Sequence, residues 1–340
     1  MKPSALGDIV LALPALASLR KSFPNAKISW LVKPEFASLL ENHPYLDEII
    51  IFDRKHLSKA LSNTKAFGSL HSLIAQLRQE KFDAIFDFQG LFRTAFMSWL
   101  SGSKKRYGIA NAREMAHLFY TDKIEHNLDC IHLVDLYLKM VQAAGAKNEK
   151  AEFVIPSNQT DVDSVKKLLK NHNIEPNKYI VFIPGSAQES KCWPAERFAQ
   201  LADKFSAQYN YPIIAIGSKS EKSKAQEIIT LAKTEIINLA GQTSLKELVE
   251  LLRMAKLVVS NDTGPGHIAS ALGMPLVIMY SWSNPARIAP YGRDECMVAR
   301  DPYSRGMEIK SNNPNHSITN ITVEEVFQKA SEQLNKSTAK

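Results

Sequence analysis

Two segments rich in glycine and proline, each directly after an apolar run, have residue types suited to holding an anion. The first extends from Val258 to His267 and has the sequence VVSNDTGPGH, followed by small residues that favour a helix. A strand that ends in a glycine-rich turn before a helix leaves unpaired backbone amides, and these amides and the helix dipole favour a phosphate. A plain strand-to-helix connection capped by Asp262 or Thr263 has the same pattern. Turn chemistry alone favours neither reading.

The second segment, IPGSAQESKCWP from Ile183 to Pro194, follows another apolar run. Ser186 and Lys191 would lie beyond the carboxyl end of a strand, which is where open α/β sheets bind ligands. Lys191 has the mobile charge that a diphosphate requires. Taken by itself, a solvated loop lysine fits the local sequence better.

Asp8 is the candidate for acid–base chemistry near the amino terminus. It stands in SALGDI, beside a glycine at the expected entrance of a helix. A carboxylate within hydrogen-bond reach of a substrate hydroxyl can accept its proton as the oxygen becomes a nucleophile. An aspartate that caps a helix is the alternative, and the local sequence favours it.

No metal site is predicted. Asp161 and Asp163 have the spacing of a chelating pair, but they follow Thr160 at the start of an amphipathic segment, where acids suit the helix dipole. The three cysteines form no CxxC pair, which argues against structural zinc or a disulfide framework and favours a reducing cytosol. Neither GxSxG nor HExxH occurs, so hydrolase and metalloprotease readings lose support.

The charge balance favours anionic partners. The 340 residues carry 42 Lys and Arg against 35 Asp and Glu, a net charge of +7. Nucleotides, phosphorylated substrates and anionic lipid surfaces fit this balance. The sequence has no basic stretch interleaved with aromatics, so nucleic acid is not expected. No apolar run approaches the roughly 18 residues of a membrane span.

Strand-like and helix-like segments alternate in two sets. Apolar runs at 28–32, 48–52 and 84–88 form the first set, and runs at 179–183, 213–216, 236–239, 257–259 and 276–279 form the second. Alternation of this kind predicts parallel sheets built from βαβ units. The polar stretch at 156–178 is typical of an interdomain connection. The chain is therefore expected to have two α/β halves.

Five segments together resemble the ADP-heptose:lipopolysaccharide heptosyltransferases of glycosyltransferase family 9. They are KPSALGDIVLALPAL at the start, DFQGLFRT from Asp87, IPGSAQESKCWP, INLAGQTSLKELVELL and VVSNDTGPGHIASALGMP. The resemblance spans almost the whole chain and occurs in both halves, which makes it more specific than a single glycine loop.

The resemblance implies the GT-B architecture, an α/β fold with two Rossmann-like domains facing each other across a cleft. We expect an acceptor-binding domain at 1–160, a domain for the nucleotide-sugar donor at 175–320, and a closing helix at 321–340 that packs back on the N-terminal domain. Members of the family usually have an apolar strand before the KPS segment. Here Met1-Lys-Pro-Ser4 stands first, so either the natural chain begins further upstream, or the sheet lacks that strand and anchors Asp8 poorly.

The family's functional residues fall on matching positions. Asp8 corresponds to the base of an inverting transfer. The other positions implied to contact the donor are Ser186, Lys191, Glu221, Asp262, Thr263, Gly264, Pro265, Gly266 and His267. Because the family's acceptor is anionic, three arginines of the N-terminal half are candidates to bind it, although each also fits an ordinary surface arginine: Arg93, Arg106 and Arg113.

The function implied is transfer of heptose from ADP-heptose to the inner core of lipopolysaccharide, either Kdo-lipid A or a heptosyl core. ADP-heptose is a co-substrate, and neither a cofactor nor a metal is expected. The enzyme would be cytoplasmic, with peripheral contact at the inner face of the inner membrane. Two alternatives remain: a transferase of the same fold that uses another nucleotide sugar, and a nucleotide-sugar-binding protein without turnover.

Overall fold

The computed structural model describes residues 1–53, 64–147 and 150–338. The chain divides into two compact units, Met1–Pro156 and Ser157–Lys340. Both are α/β with parallel strands, as the alternation of apolar runs predicts. The division lies at residue 156, so the polar stretch that follows belongs to the C-terminal unit.

The N-terminal unit contains strands and helices in alternation. Its described strands are β1 (Ser29–Val32), β2 (Glu48–Ile51), β3 (Ala84–Asp87), β4 (Lys105–Ile109) and β5 (Asp122–Ile124). Its described helices are α1 (Leu6–Ser22), α2 (Pro34–Ala37), α3 (Thr64–Gln79), α4 (Phe92–Leu100) and α5 (Leu133–Gln142). The apolar runs predicted β1, β2 and β3 to within one residue at each end. They missed β4 and β5, which are polar.

The N-terminal sheet is divided, and residues 1–3 lie at the division. β1 pairs with β2, and β3 pairs with β4 and β5, all in parallel. The amide of Lys33, just after β1, donates to the carbonyl of Pro3 at 3.2 Å. On the other side, the amino group of Met1 donates to Phe86 at 2.6 Å, and the amide of Phe88 donates to Met1 at 3.1 Å. These three residues therefore take the position of a central strand.

A groove of about 460 Å³ lies beside Met1. Its lining includes the 28–31 and 84–86 segments, which are the facing edges of β1 and β3, together with Leu16 and Leu77. The gap between the two halves of this sheet is thus apolar and only partly filled.

The C-terminal unit repeats the alternation, and four of its strands are buried along their whole length. Its strands are β6 (Ile180–Ile183), β7 (Ile213–Ala215), β8 (Ile236–Asn238), β9 (Leu257–Asn261), β10 (Leu276–Tyr280) and β11 (Met297–Ala299). Its described helices are α6 (Gln159–Asn171), α7 (Ala195–Tyr209), α8 (Lys222–Leu231), α9 (Leu245–Arg253), α10 (Gly264–Ala271), α11 (Pro285–Ile288) and α12 (Val323–Thr338).

All six strands of this unit form one parallel sheet in the order β11-β10-β9-β6-β7-β8. The chain moves outward in one direction from β6 and in the other from β9, so the order reverses between these two neighbours. Ligands of such sheets bind beyond the carboxyl ends of the strands at this switch point. β6, β9 and β10 are buried on both faces, which explains their continuous apolar runs.

The closing helix corrects one expectation. We expected residues 321–340 to pack on the N-terminal domain, but α12 packs on the C-terminal sheet and on α7. Val326, Ala330 and Leu334 share one helix face and are buried in the core of that unit. Burial of this apolar face fixes the helix there.

None of the helices within the described ranges combines the length and apolarity that crossing a bilayer requires.

Candidate active site

The loop after β6 is fastened to the end of β9 by Asn261. The Asn261 side chain donates to the carbonyl of Pro184 at 2.7 Å and accepts from the amide of Trp193 at 3.1 Å. The Trp193 ring is buried, and its Nε1 donates to the carbonyl of Ile321 at 2.9 Å. Both ends of the loop are therefore held at the switch point of the C-terminal sheet, where a ligand site is expected.

Lys191 reaches from this loop to Asp262, the residue directly after β9. Its Nζ lies 2.6 Å from Oδ2 of Asp262, which also accepts from the Ser283 hydroxyl at 2.7 Å. The Ser186 hydroxyl donates to the Asp262 carbonyl at 3.2 Å. Nε2 of His267 lies 3.4 Å from the other carboxylate oxygen. Four residues of the donor set predicted from the sequence therefore meet within hydrogen-bond distance or close to it.

The Asp262 carboxylate is buried and ionised. Burial by itself would raise its pKa, but the hydrogen bond with His267 and the charge of Lys191 outweigh burial and hold the pKa far below its usual range. The Asp262 side chain is 4% exposed and that of Lys191 is 20% exposed. Asp262 thus acts as the counter-ion that positions Lys191, while Lys191 is the member of the pair that solvent and an anionic ligand can reach.

Helix α10 begins at this cluster with unpaired amides. Thr263 is its N-cap residue, but the Thr263 side chain makes no capping hydrogen bond. Pro265 occupies the first turn, where a missing N–H costs little. The amides of Gly264 and Gly266 are among the first donors of the helix, which have no partner within it. This amino end fits an anion better than the capping alternative.

Gly266 is required by packing against β9. An added Cβ would lie 2.6 Å from the Ser260 hydroxyl and 3.2 Å from its Cβ. Any larger residue would push the start of α10 away from the strand. This glycine therefore sets how closely the helix amides approach the end of β9.

Glu221 lies over the ends of β6 and β7. Its Oε2 accepts from the amide and the hydroxyl of Ser218, both at 2.7 Å. A Cβ on Gly185 would lie 1.9 Å from Oε1, so Glu221 crosses directly above Gly185. The carboxylate is thus beside the loop that carries Ser186.

Asp8 lies in the first turn of α1, next to a lysine that the sequence analysis did not single out. Its Oδ2 is 3.4 Å from Nζ of Lys2 and accepts from the Ala5 amide at 3.2 Å. Its side chain is 37% exposed, whereas that of Lys2 is 5% exposed. Burial by itself would lower the pKa of Lys2, but Asp8 and Tyr137 reverse the effect and raise it. Lys2 therefore stays charged beside Asp8, whose hydrogen bond with the Ala5 amide also tightens the helix start.

The loop after β3 supports the Asp8 segment. The Lys2 ammonium donates to the Phe88 carbonyl at 3.1 Å, and Oε1 of Gln89 accepts from the Ser4 amide at 3.3 Å. Asp87 holds this loop, since it accepts from the Gln89 amide at 3.0 Å and from the Tyr120 hydroxyl at 2.7 Å. Burial raises the pKa of Asp87 despite these partners.

The three candidate arginines differ in what they contact. Arg93 and Arg113 are exposed. Arg106 is half-buried, and its guanidinium donates to the carbonyls of Phe119, at 2.7 Å, and Ser103. Arg106 therefore fastens the 103–119 segment, and Arg93 and Arg113 are the freer candidates for an anionic acceptor.

The structure adds site residues that the sequence analysis missed. Besides Lys2 and Asn261, they include Ser283, which shares Asp262 with Lys191, and Arg305, whose guanidinium donates to the carbonyls of Ser281 and Ser283 at 2.6 and 2.8 Å. Ser283 and Arg305 make these contacts over 21 to 24 positions along the chain. Of these residues, only Asn261 could have been found from a local pattern in the sequence, because it directly precedes Asp262 in the NDTG turn.

Among the described residues, no three His, Cys, Asp or Glu side chains converge as metal ligands would. Asp161 instead lies in the first turn of α6, where its amide donates to Asn158 at 2.9 Å. Asp161 therefore lies at the start of a helix, as the sequence predicts.

The comparisons with known proteins agree with this geometry. The model of glycosyltransferase family 9 (heptosyltransferase) matches residues 70–318. The lipopolysaccharide core heptosyltransferase OpsX of Haemophilus influenzae is 27% identical over 303 residues, which cover 88% of this chain and 83% of that protein. The lipopolysaccharide heptosyltransferase 1 of Escherichia coli K12 is 26% identical over 315 residues, covering 92% and 95%.

Among solved structures, the E. coli heptosyltransferase WaaC with ADP superposes with a TM-score of 0.77 at 24% identity and covers 98% of each chain. This likeness establishes the fold, two Rossmann-like domains of the GT-B type. With the family match over most of its length, the chain belongs to glycosyltransferase family 9, the heptosyltransferases.

Proposed function

We propose that this chain is an inverting, metal-independent transferase that moves heptose from ADP-heptose to the inner core of lipopolysaccharide. The observation that carries the proposal is the meeting of Ser186, Lys191 and the amino end of α10 at the switch point of the C-terminal sheet. Relatives named for this activity cover most of the chain, and a solved structure of one contains ADP.

The donor diphosphate is assigned to the C-terminal unit. Lys191 supplies a charge, and the first amides of α10 supply donors that are fixed before the ligand arrives. Because Asp262 already holds Lys191 in place, little side-chain entropy is lost when the diphosphate binds. Ser186 and Thr263 add hydroxyls beside this position, and Glu221 is assigned to the ribose.

The transfer itself is assigned to Asp8. Its carboxylate removes the proton from an acceptor hydroxyl, and that oxygen attacks the anomeric carbon of the heptose. The bond from that carbon to the diphosphate oxygen breaks on the opposite face, and ADP leaves with the bonding electron pair. Lys191 and the α10 amides meet the charge on the leaving group, and Lys2 positions the Asp8 side chain.

The acceptor is assigned to the N-terminal unit, with Arg93 and Arg113 on its acidic sugars or phosphates. Arg106 supports them by fastening the 103–119 segment. A lipid-borne acceptor requires work at a membrane surface, so we assign the enzyme to the cytoplasmic face of the inner membrane as a peripheral protein.

Calorimetric titration with ADP, UDP and GDP in the presence of EDTA tests the donor assignment. We expect ADP to bind most tightly. Preference for UDP would mean that the donor is another nucleotide sugar. Incubation with ADP-heptose and Kdo-lipid A then tests turnover; binding of ADP without any transfer to Kdo-lipid A or to a heptosylated core would leave a binding protein and overturn the transferase proposal.

A further inference from the structure

The N-terminal unit exposes a connected group of aromatic rings. Phe92, Phe96 and Trp99 lie along one face of α4, with ring centroids 5.6 Å apart for the first pair and 5.7 Å for the second. Phe119, on the following 3-10 turn, contacts all three rings. We call these four residues the aromatic patch. Phe92 is 44% exposed and Trp99 is 51% exposed, so the patch meets solvent over its length.

Two aliphatic side chains beside the patch are more exposed still. Met115 is 64% exposed and Leu118 is 59% exposed, and both belong to the segment that packs against α4. Large apolar side chains gathered in this way mark a surface for a partner, whereas isolated ones need no explanation.

The surroundings of the patch are strongly basic. Residues 91–123 hold six Lys and Arg against two Asp and Glu, so this short segment carries +4 of the chain's net charge of +7. Arg93, Lys104 and Arg113 are exposed, and none of them forms an ion pair with a residue within the described ranges. Lys105 has only a distant partner, Asp122 at 3.9 Å. The rim of the patch thus holds positive charge available to an anionic partner.

We propose that the aromatic patch and its basic rim dock the N-terminal unit on an anionic lipid bilayer. Tryptophan and phenylalanine favour the region between headgroups and acyl chains, and unpaired Lys and Arg bind anionic headgroups. This combination of exposed rings and unpaired cations favours a bilayer over a second copy of this chain, whose matching face would carry the same positive charge. The inference rests on the proposed function, which supplies the lipid-borne acceptor, and adds where the enzyme touches the membrane.

Vesicle flotation tests the docking directly. We expect the protein to float with vesicles of phosphatidylethanolamine and phosphatidylglycerol but not with phosphatidylcholine alone, and to be released by salt. The variant W99S/L118S should bind at least tenfold more weakly. The matched control is L231S/I309S, which removes apolar side chains of 46% and 58% exposure from the C-terminal unit and should bind as the unmodified protein does.

Trp99 gives a second readout at the patch itself. Trp30 and Trp193 are buried, and Trp282 is half-buried and belongs to the C-terminal unit. A blue shift of emission on adding anionic vesicles should therefore be largely lost in W99F, which keeps an aromatic ring at this position. Because W99S/L118S removes part of a ring stack, M115S/L118S serves as a variant that leaves the four rings intact. The proposal would be overturned if both patch variants floated as well as the control. It would also be overturned if the patch variants floated normally but sedimented as monomers where the unmodified protein sediments as a dimer.

The outcome is separable from that of the proposed function. The patch variants should keep ADP affinity and transfer to a deacylated acceptor, and lose efficiency only with acceptor in vesicles. If the protein binds vesicles but not ADP, the proposed function alone is contradicted. If it transfers heptose normally but has no affinity for anionic vesicles, the docking proposal alone is contradicted.

Discussion

The two units share one strand order but complete it differently. In the C-terminal unit, β6 occupies the centre of a continuous six-stranded parallel sheet. In the N-terminal unit, residues 1–3 take the equivalent position between β1 and β3, and a groove of about 460 Å³ lies beside them. The same strand order therefore places a candidate site at each switch point, with Lys191 at one and Asp8 at the other.

The difference shows how each site is held. Asp262 and Lys191 belong to a cluster that includes Ser186, Ser283 and His267, anchored on a complete sheet. Asp8 is held by its contacts with Lys2 and the Ala5 amide, and Lys2 and Ser4 are held in turn by one bond each to the loop after β3. The residues assigned to the donor are thus positioned by a complete sheet, whereas Asp8, the assigned base, is positioned by a short segment.

The largest effect is expected from D8N. Loss of a general base lowers kcat by about 10²- to 10⁴-fold, while ADP affinity should remain unchanged because the diphosphate is assigned to the other unit. Steady-state kinetics and calorimetry measure the two effects. D129N, at an exposed aspartate of the same unit, is the control. Near-normal turnover of D8N would return Asp8 to its capping role.

K191A should weaken the binding of ADP, which is assigned to the C-terminal unit. Removing a charge-assisted hydrogen bond costs about 1.5 to 3 kcal/mol, which corresponds to ADP binding weaker by about 10- to 150-fold. K224A is a close control, since Lys224 pairs with Glu189 at 2.6 Å and its side chain is 22% exposed, against 20% for Lys191. Equal ADP affinity in both variants would show that Lys191 does not contact the diphosphate.

Local sequence predicted the strands better than the sites. β6, β9 and β10 are buried on both faces, so their apolar runs mark them directly. β4 has the sequence KRYGI, and its pairing with β3 and β5 depends on Tyr120 packing over Gly108, where a Cβ would lie 2.2 Å from the ring. Such a contact joins distant residues and leaves no periodic pattern.

The candidate site follows the same rule. The glycine turn and the lysine of the β6 loop could be named from the sequence because each lies beside a strand. That Asp262 binds Lys191 and Ser283 could not, since these residues are 71 and 21 positions away along the chain. The sequence predicted which residues gather at the switch point, and tertiary contacts decide which of them face a ligand.

G266A should weaken the C-terminal unit. Its new Cβ would lie 2.6 Å from the Ser260 hydroxyl, and overpacking of this kind costs about 1 to 3 kcal/mol. Urea unfolding measures the loss. G68A is the control, because no atom lies within 4 Å of the added Cβ and alanine stabilises an exposed helix by up to about 1 kcal/mol. If G266A/S260A costs as much as G266A alone, the contact with Ser260 is not the cause.

The smallest effect concerns two buried aspartates whose pKa values shift in opposite directions. The pKa of Asp262 is lowered in the folded state, so its stabilising contribution is present above the unfolded pKa and is lost as pH falls. For an unfolded pKa near 3.9, the loss is about 0.3 kcal/mol at pH 4 and about 1.3 kcal/mol at pH 3. The pKa of Asp87 is raised by burial, so acidification favours its folded state instead.

Hydrogen exchange resolved by unit, corrected for the intrinsic rate at each pH, separates the two responses. In the C-terminal unit, D262N should reduce the loss of exchange protection that acidification causes. In the N-terminal unit, D87N should abolish the opposing gain in exchange protection. If D262N left the acid response of the C-terminal unit unchanged, Lys191 would not be held by an ionised carboxylate. The donor site would then lack the preorganisation that distinguishes it from the site around Asp8.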